Sequence, residues 1–363
     1  MASSVNRYVN AKMPLVTLAA AARSSARVLV AGIYLGHWDQ VAKSLGAANY
    51  EPVGFNPPRR PKRFNTVRPA WHWVDNREQL WVLVPPSRDY VLQYASLIRH
   101  ALCYYLPSDE VDGLLQVRYY RRAASELASW TELAGVVRTA SRVVLGHVDE
   151  LLPALGRPDS EQRNDYYCAM RYDTQQTVLL GVRYSFWGEA AMHLAQSLCQ
   201  LGCRELLYLS KVGTLTGPQD VYQRVFSPSR FVLADGEQIV RHPFTVPRAL
   251  PQLELTGGHI TVPTVIEQSL AHRSALLWWP ADSIDNEISY MAAGIDDFNT
   301  STGTQVAFGP VAIATDYVRE LGDSQHSLPF DLANNNTEEA LERRQQAMQQ
   351  AAGIIARHLA GTR

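Results

Sequence analysis

Cysteine is scarce in this chain, with four in 363 residues. Cys103, Cys168, Cys199 and Cys203 are too few for a disulfide framework, which fits a reducing cytosol. Cys199 and Cys203 stand four apart on one expected helix, and no Cys/His cluster completes a zinc site. Charge of one sign is missing as well. There are 34 basic and 35 acidic residues, a formal charge of -1, which makes the chain a poor candidate for a duplex-DNA binder held by phosphate contacts, and no nucleic-acid partner is expected. No apolar run reaches the roughly 18 residues of a membrane span. Met13 to Ala22 is short and interrupted by Thr17, so it is expected to be an ordinary N-terminal helix, not a signal peptide. What is present is a core-forming composition, 46% hydrophobic and 19% charged, which excludes a disordered chain. A cytoplasmic enzyme or ligand-binding protein remains, with length for about two domains at roughly 150 residues each.

The first part of the chain, residues 1–140, carries no legible catalytic motif. Arg27 to Gly36 reads as a strand, Asp39 to Leu45 as the start of a helix, and Gln79 to Val84 as a second strand. Gly54 to Arg63, rich in proline and arginine, reads as a solvated loop. Tyr90 to Tyr105 and Arg118 to Ala140 have helical spacing. This region is expected to be α/β or mainly helical.

From Ser141 strands and helices alternate. Val143 to Leu145 and Thr177 to Val182 are short apolar strands. Glu189 to Leu201 is an amphipathic helix closed by Gly202. Glu205 to Leu209 is a strand that runs into Lys211-Val212-Gly213-Thr214. Ile260 to Val262 leads to Pro263, and Ser283-Ile284 leads to Asp285-Asn286-Glu287 and a helix through Met291. Thr304 to Phe308 and Pro310 to Ala314 are strand-like, with Thr315-Asp316 at the end of the second. A last helix covers Glu338 to Leu359, with Asn334 to Thr337 supplying its cap. Such a series predicts an α/β sheet with ligands at the carboxyl ends of its strands.

Three strand-end features, Lys211 to Thr214, Asp285 to Glu287 and Thr315-Asp316, resemble in order and spacing those of the nucleoside phosphorylase and nucleosidase superfamily. Gly213 matches the family's loop glycine, Asn286-Glu287 its Met-Glu pair, and Thr315-Asp316 its Ser-Asp pair. Thr261 to Glu267, including Val265, matches the loop that walls base and ribose. The resemblance spans residues 141–363. It implies a three-layer α/β/α fold around a mixed, partly barrel-like sheet, a small nucleoside substrate, a homo-oligomer, and no metal or organic cofactor.

Cleaving an N-glycosidic bond builds positive charge on the sugar while electrons flow into the base. An acid that protonates the purine N7 improves the leaving group, and the resemblance gives this role to Asp316. Glu287 would accept hydrogen bonds from the ribose hydroxyls, with Asn286 and Ile284 beside it. Gly213 would let the backbone approach the base, with Lys211, Thr214 and Thr315 nearby. Blander roles stand beside these: Asp316 as the N-cap of a helix over Tyr317 to Leu321, and the 285–287 acids as complements to a helix dipole.

Two departures bear on the reaction. Phosphorolytic members hold phosphate with a glycine and an arginine after the first strand and another arginine in the strand before the glycine loop. Here the first strand ends in Gly146-His147-Val148-Asp149-Glu150, and Tyr208 stands at the other arginine position. Hydrolytic members place a glutamate after the first strand to activate water, a role open to Asp149 or Glu150. Hydrolysis is therefore expected. Phosphorolysis, with an anion site rebuilt from Lys211, Arg183 and Arg171, is the first alternative. A non-catalytic nucleoside-binding or assembly protein is the second.

Overall fold

A computed structural model describes residues 4–55, 63–120, 125–137, 140–235, 238–250, 253, 255–265, 281–318 and 338–361. Most of the Gly54–Arg63 loop, Ile266-Glu267, the proposed turn of helix after Val318 and the Asn334–Thr337 cap lie outside the described residues.

Two sheets organise the chain. The first has the order β2-β3-β4-β1-β5, from strands Arg27–Gly32 (β1), Tyr50–Pro52 (β2), Ala70–Val74 (β3), Gln79–Val84 (β4) and Leu115–Arg118 (β5). Val28, Val30, Leu80 and Val82 bury one face against helices Leu15–Arg23 and Arg88–Leu102, through Leu18, Val91, Leu97 and Ile98. The expected N-terminal helix forms as two, Ser4–Lys12 and Leu15–Arg23. Among the described residues, the helical stretch expected over 118–140 includes short turns of helix at Leu127–Trp130 and Leu133–Val137. Glu132, between them, takes a positive φ of 52°, which an α-helix cannot continue through.

The second sheet has ten strands. Those that build the site are Arg142–Gly146 (β6), Thr177–Val182 (β9) and Glu205–Thr214 (β10). With them stand Val225–Asp235 (β11), Leu255–Thr261 (β13), Ala281–Asp285 (β14) and Ala307–Tyr317 (β15). Ser160–Arg163 (β7), Tyr167–Tyr172 (β8) and Gln238–Phe244 (β12) complete the sheet. Pairings β10·β14, β14·β13, β13·β11, β11·β15 and β15·β10 close a ring, while β6, β9, β8 and β7 extend from it as an open sheet. The expected mixed, partly barrel-like sheet is what the chain forms.

Strand alternation explains the three layers. Val143, Leu145, Leu206 and Tyr208 point to one face, covered by helices Glu189–Gln200 and Ile288–Thr302. Val144, Leu207 and Leu209 point to the other, covered by Ala347, Ala351, Ile355 and Leu359 of helix Glu338–Gly361. All four cysteine thiols are free.

Candidate active site

Gly146 ends β6 with φ at +90°, and a Cβ there would lie 2.1 Å from the Leu209 carbonyl oxygen. Only glycine lets β6 and β10 run side by side to this point and then turn. The His147 N–H donates to the same Leu209 oxygen at 3.1 Å, and Val148–Leu151 then forms a turn of 3-10 helix carrying Asp149 and Glu150. This turn opens onto a cavity of about 380 Å³ at the carboxyl ends of β6, β9 and β10.

Four of the sequence-derived residues line that cavity: Asp149, Glu150, Lys211 and Glu287. The Gln345 side chain donates to the Glu150 carboxylate at 2.8 Å, so the last helix orients this acid. Burial, and then the neighbouring Asp285 carboxylate, hold Glu287 well above the ordinary carboxylate range. The same burial favours its protonated form over the carboxylate, and that form can both donate and accept hydrogen bonds. Tyr208 lines the same space and is pushed well above the usual phenol range by burial and by Glu287 and Asp285.

A second group lies one to two residues further along the strands. The β10 register sets Gly213 opposite both Ile284 and Asp316. A Cβ on Gly213 would stand 3.1 Å from Ile284 Cγ2 and 3.2 Å from Asp316 Oδ2, so a larger side chain would displace the acid. Asp316 is 6% exposed, and the Thr315 hydroxyl donates to its Oδ1 at 3.1 Å. Tyr317, the first residue of the expected capped helix, continues the strand.

Two residues turn elsewhere. The Asn286 side-chain amide donates to the Val262 carbonyl at 2.6 Å, and the Asn286 backbone carbonyl accepts from the Gly188 N–H. Thr214 shares hydrogen bonds with Thr216 and Asp220. The Val265 N–H donates to Gln93 Oε1 at 2.9 Å, which joins the wall loop to the N-terminal region. Arg171 and Arg183 do not line the cavity; Arg171 donates to the Val137 carbonyl and pairs with Asp173.

Asp285 has a structural task. Its Oδ1 accepts from His259 Nε2 at 2.8 Å, from Thr261 Oγ1 at 2.7 Å and from the N–H of Glu287, and both its oxygens accept from the Ile288 N–H. The acid closes the helix start, as the dipole argument expects, and sets the backbone that carries Glu287. Ser283, His259 and Asp285 form a hydrogen-bonded chain, but His259 is fully buried and takes no part in surface chemistry.

Sequence reasoning missed several lining residues. Phe186 and Trp187 come from the aromatic run between β9 and helix Glu189–Gln200, and Arg344 and Gln345 come from the last helix. The run Tyr184-Ser185-Phe186-Trp187-Gly188, after a buried strand and before a helix, was the available signal. Arg344 gave none, since a lone arginine on an amphipathic helix reads as a solvated face.

No family model matches the chain. It is 28% identical over 312 residues to Oxidoreductase cns1 of Cordyceps militaris, covering 76% of this chain and 38% of that protein. The chain thus spans well under half the length of this curated relative. In structure it is similar to a putative methylthioadenosine nucleosidase from Weissella paramesenteroides, with a TM-score of 0.44, 14% identity, and coverage of 61% of this chain and 99% of that one. It is also similar to the futalosine hydrolase of Helicobacter pylori, with a TM-score of 0.41, 12% identity, and coverage of 62% and 96%. Among the described residues no helix is long and apolar enough to cross a membrane.

Proposed function

We propose that the chain hydrolyses the N-glycosidic bond of a nucleoside or nucleoside-like metabolite, with residues 141–363 as the unit that does the chemistry. One observation carries this reading. Acids from three separate segments gather at one end of one sheet: Asp149 and Glu150 after β6 and Glu287 after β14 line the cavity, and Asp316 on β15 is buried opposite Gly213, two residues along β10 from the lining Lys211.

The chemistry divides between them. Asp316 gives a proton to the ring nitrogen of the leaving base as the C1′–N bond breaks. Glu287 exchanges hydrogen bonds with the ribose hydroxyls and orients the sugar. Water adds its oxygen to C1′ and passes its proton to Glu150, which Gln345 already holds in place; Asp149 is the neighbouring alternative base. The products are free base and free sugar, and no electron changes hands. Electrons pushed into the base and charge left on the sugar are both met by groups fixed beforehand.

A phosphorolytic reading has its own support, because Lys211, Arg344 and His147 share the cavity with those acids. There phosphate oxygen, not water, would form the bond to C1′. Incubating the protein with a nucleoside panel, with and without phosphate, separates the two by product. Free sugar formed without phosphate is expected; a sugar 1-phosphate formed only with phosphate would replace hydrolysis by phosphorolysis. Asp316→Asn is expected to lower kcat by about 10²–10⁴-fold with the fold retained. Nucleoside binding and biological effect both left intact by Asp316→Asn would favour a nucleoside-binding or assembly protein instead, and unchanged turnover would take the acid role from Asp316.

A further inference from the structure

The N-terminal region reaches this cavity directly, through Phe64 and Asn65. The Asn65 N–H donates to the Val182 carbonyl at 2.8 Å and the Val67 N–H to the Arg183 carbonyl at 2.7 Å, which lays the segment 64–67 along the end of β9. The Phe64 ring fills the space over Gly181, where a Cβ would lie 2.1 Å from Phe64 Cε1. Asn65 takes φ of 53°, a left-handed conformation that asparagine tolerates better than most residues. The strap is thus built by both partners, with a glycine on β9 that makes room and an asparagine that makes the turn.

The Asn65 side chain is also oriented. Its Oδ1 accepts from Arg68 Nη1 at 2.9 Å and from Ser185 Oγ at 3.1 Å. A guanidinium only donates, so the carbonyl end of the amide must face Arg68 and the amino end must face away. Among the described residues that amino group donates to no acceptor. A clip that only fastened the segment would need the two backbone bonds and the phenyl ring. It would not need a fixed amide with its donors unspent at the wall of a cavity.

We infer that Phe64 and Asn65 are specificity-determining residues for the glycosyl half of the substrate, supplied by the N-terminal region. The Asn65 amide donates to a hydroxyl or ether oxygen of the sugar, and the Phe64 ring packs on its apolar face. The inference rests on the nucleosidase reading above, which sets Glu287 and the attacking water in this same cavity. It gives residues 1–140 a task in substrate selection.

The test uses the full chain and follows both hydrolysis of nucleosides that differ only in the sugar and equilibrium binding of the same compounds by calorimetry. Asn65→Gly removes the amide while accepting the same φ, and Phe64→Leu trims the ring while keeping most of its apolar volume. Asn65→Gly is expected to raise KM about tenfold with kcat changed less than about threefold, in line with one lost ground-state hydrogen bond. Phe64→Leu, or Gly181→Ala, which drives the ring off β9, is expected to change the ranking among sugars. Folded variants that keep the wild-type KM and ranking would overturn the inference while leaving hydrolysis intact. If wild type cleaves no nucleoside, hydrolysis fails; binding weakened by Asn65→Gly would then still support the strap, and unchanged binding would overturn it too.

Discussion

Two acids two positions apart, Asp285 and Glu287, divide structure from chemistry. Asp285 is 5% exposed and serves as acceptor for His259, Thr261 and two backbone N–H groups. Asp285→Ala would strand these donors in the interior, so a loss of about 3 kcal/mol or more is expected in urea unfolding. A loss under about 1 kcal/mol would refute that assignment. Glu287, whose carboxyl burial pushes up, is matched in shape by glutamine, which carries no charge to bury. Glu287→Gln is therefore expected to leave the unfolding midpoint near wild type while lowering kcat/KM at least tenfold, because the amide cannot reproduce the carboxyl's hydrogen bonds. A large stability loss with activity kept would reverse the two roles. The motif at 285–287 contains both acids and the resemblance assigns only Glu287 to the site, while a dipole argument alone treats them alike. Only the hydrogen bonds tell the cap from the cavity residue. Asn286 illustrates the limit further: its amide meets the Val262 carbonyl across 24 positions, a pairing no local pattern contains.

At the scale of elements, what was legible follows from range. Glycines at strand ends and 3.6-residue periodicity are local signals, and β6, β9, β10 and helix Glu189–Gln200 formed where those signals stood. The strands Tyr167–Tyr172 and Val225–Asp235 were not read because polar residues interrupt their buried runs, and Gln238–Phe244 because it buries none of its residues. Thr304 to Phe308 and Pro310 to Ala314 look like two strands because a proline stands between them. The chain forms one, β15, from Ala307 to Tyr317, which leaves Thr304 to Val306 outside it and sets Pro310 opposite Tyr208 in the parallel pairing with β10. The element most exposed to a single change is the β6–β10 pair. At Gly146 any Cβ meets the Leu209 carbonyl at 2.1 Å, and φ is +90°. Gly146→Ala is expected to cost about 2–4 kcal/mol through backbone strain and the clash, and to reduce activity by moving Asp149 and Glu150. Thermal unfolding within a degree or two of wild type would show that the strand ends can shift without harm.

Across the whole molecule, the two sheets meet at a charged junction around the buried Asp89 that sequence could not foresee, since its members lie on five separate segments. Asp89, fully buried at the start of helix Arg88–Leu102, sits against Gly188, where a Cβ would come within 1.9 Å of its Oδ2. Arg88 stands 3.7 Å from it and pairs with Asp235 on β11. Glu189, hydrogen-bonded to the Tyr119 hydroxyl, and Tyr290 complete the surroundings. Next to this group the Ser87 hydroxyl holds the Trp187 carbonyl, so the junction adjoins the cavity wall. Burial, only partly offset by Arg88, pushes the Asp89 carboxyl up to about 7 from its ordinary value of 3.8. The native state then holds this proton more tightly than the unfolded chain does. The contribution is fully present below about pH 4 and is lost as pH rises through about 7. Between pH 5 and pH 8 the loss amounts to roughly 2–3 kcal/mol at 1.36 kcal/mol per pH unit. Asp89→Asn carries no charge to bury, so its stability relative to wild type is expected to improve by about that amount over the same interval. Urea unfolding of both proteins at pH 5 and pH 8 measures it directly. A difference that stays constant with pH would mean that Asp89 is ionised in the native protein and that Arg88 compensates its charge in full.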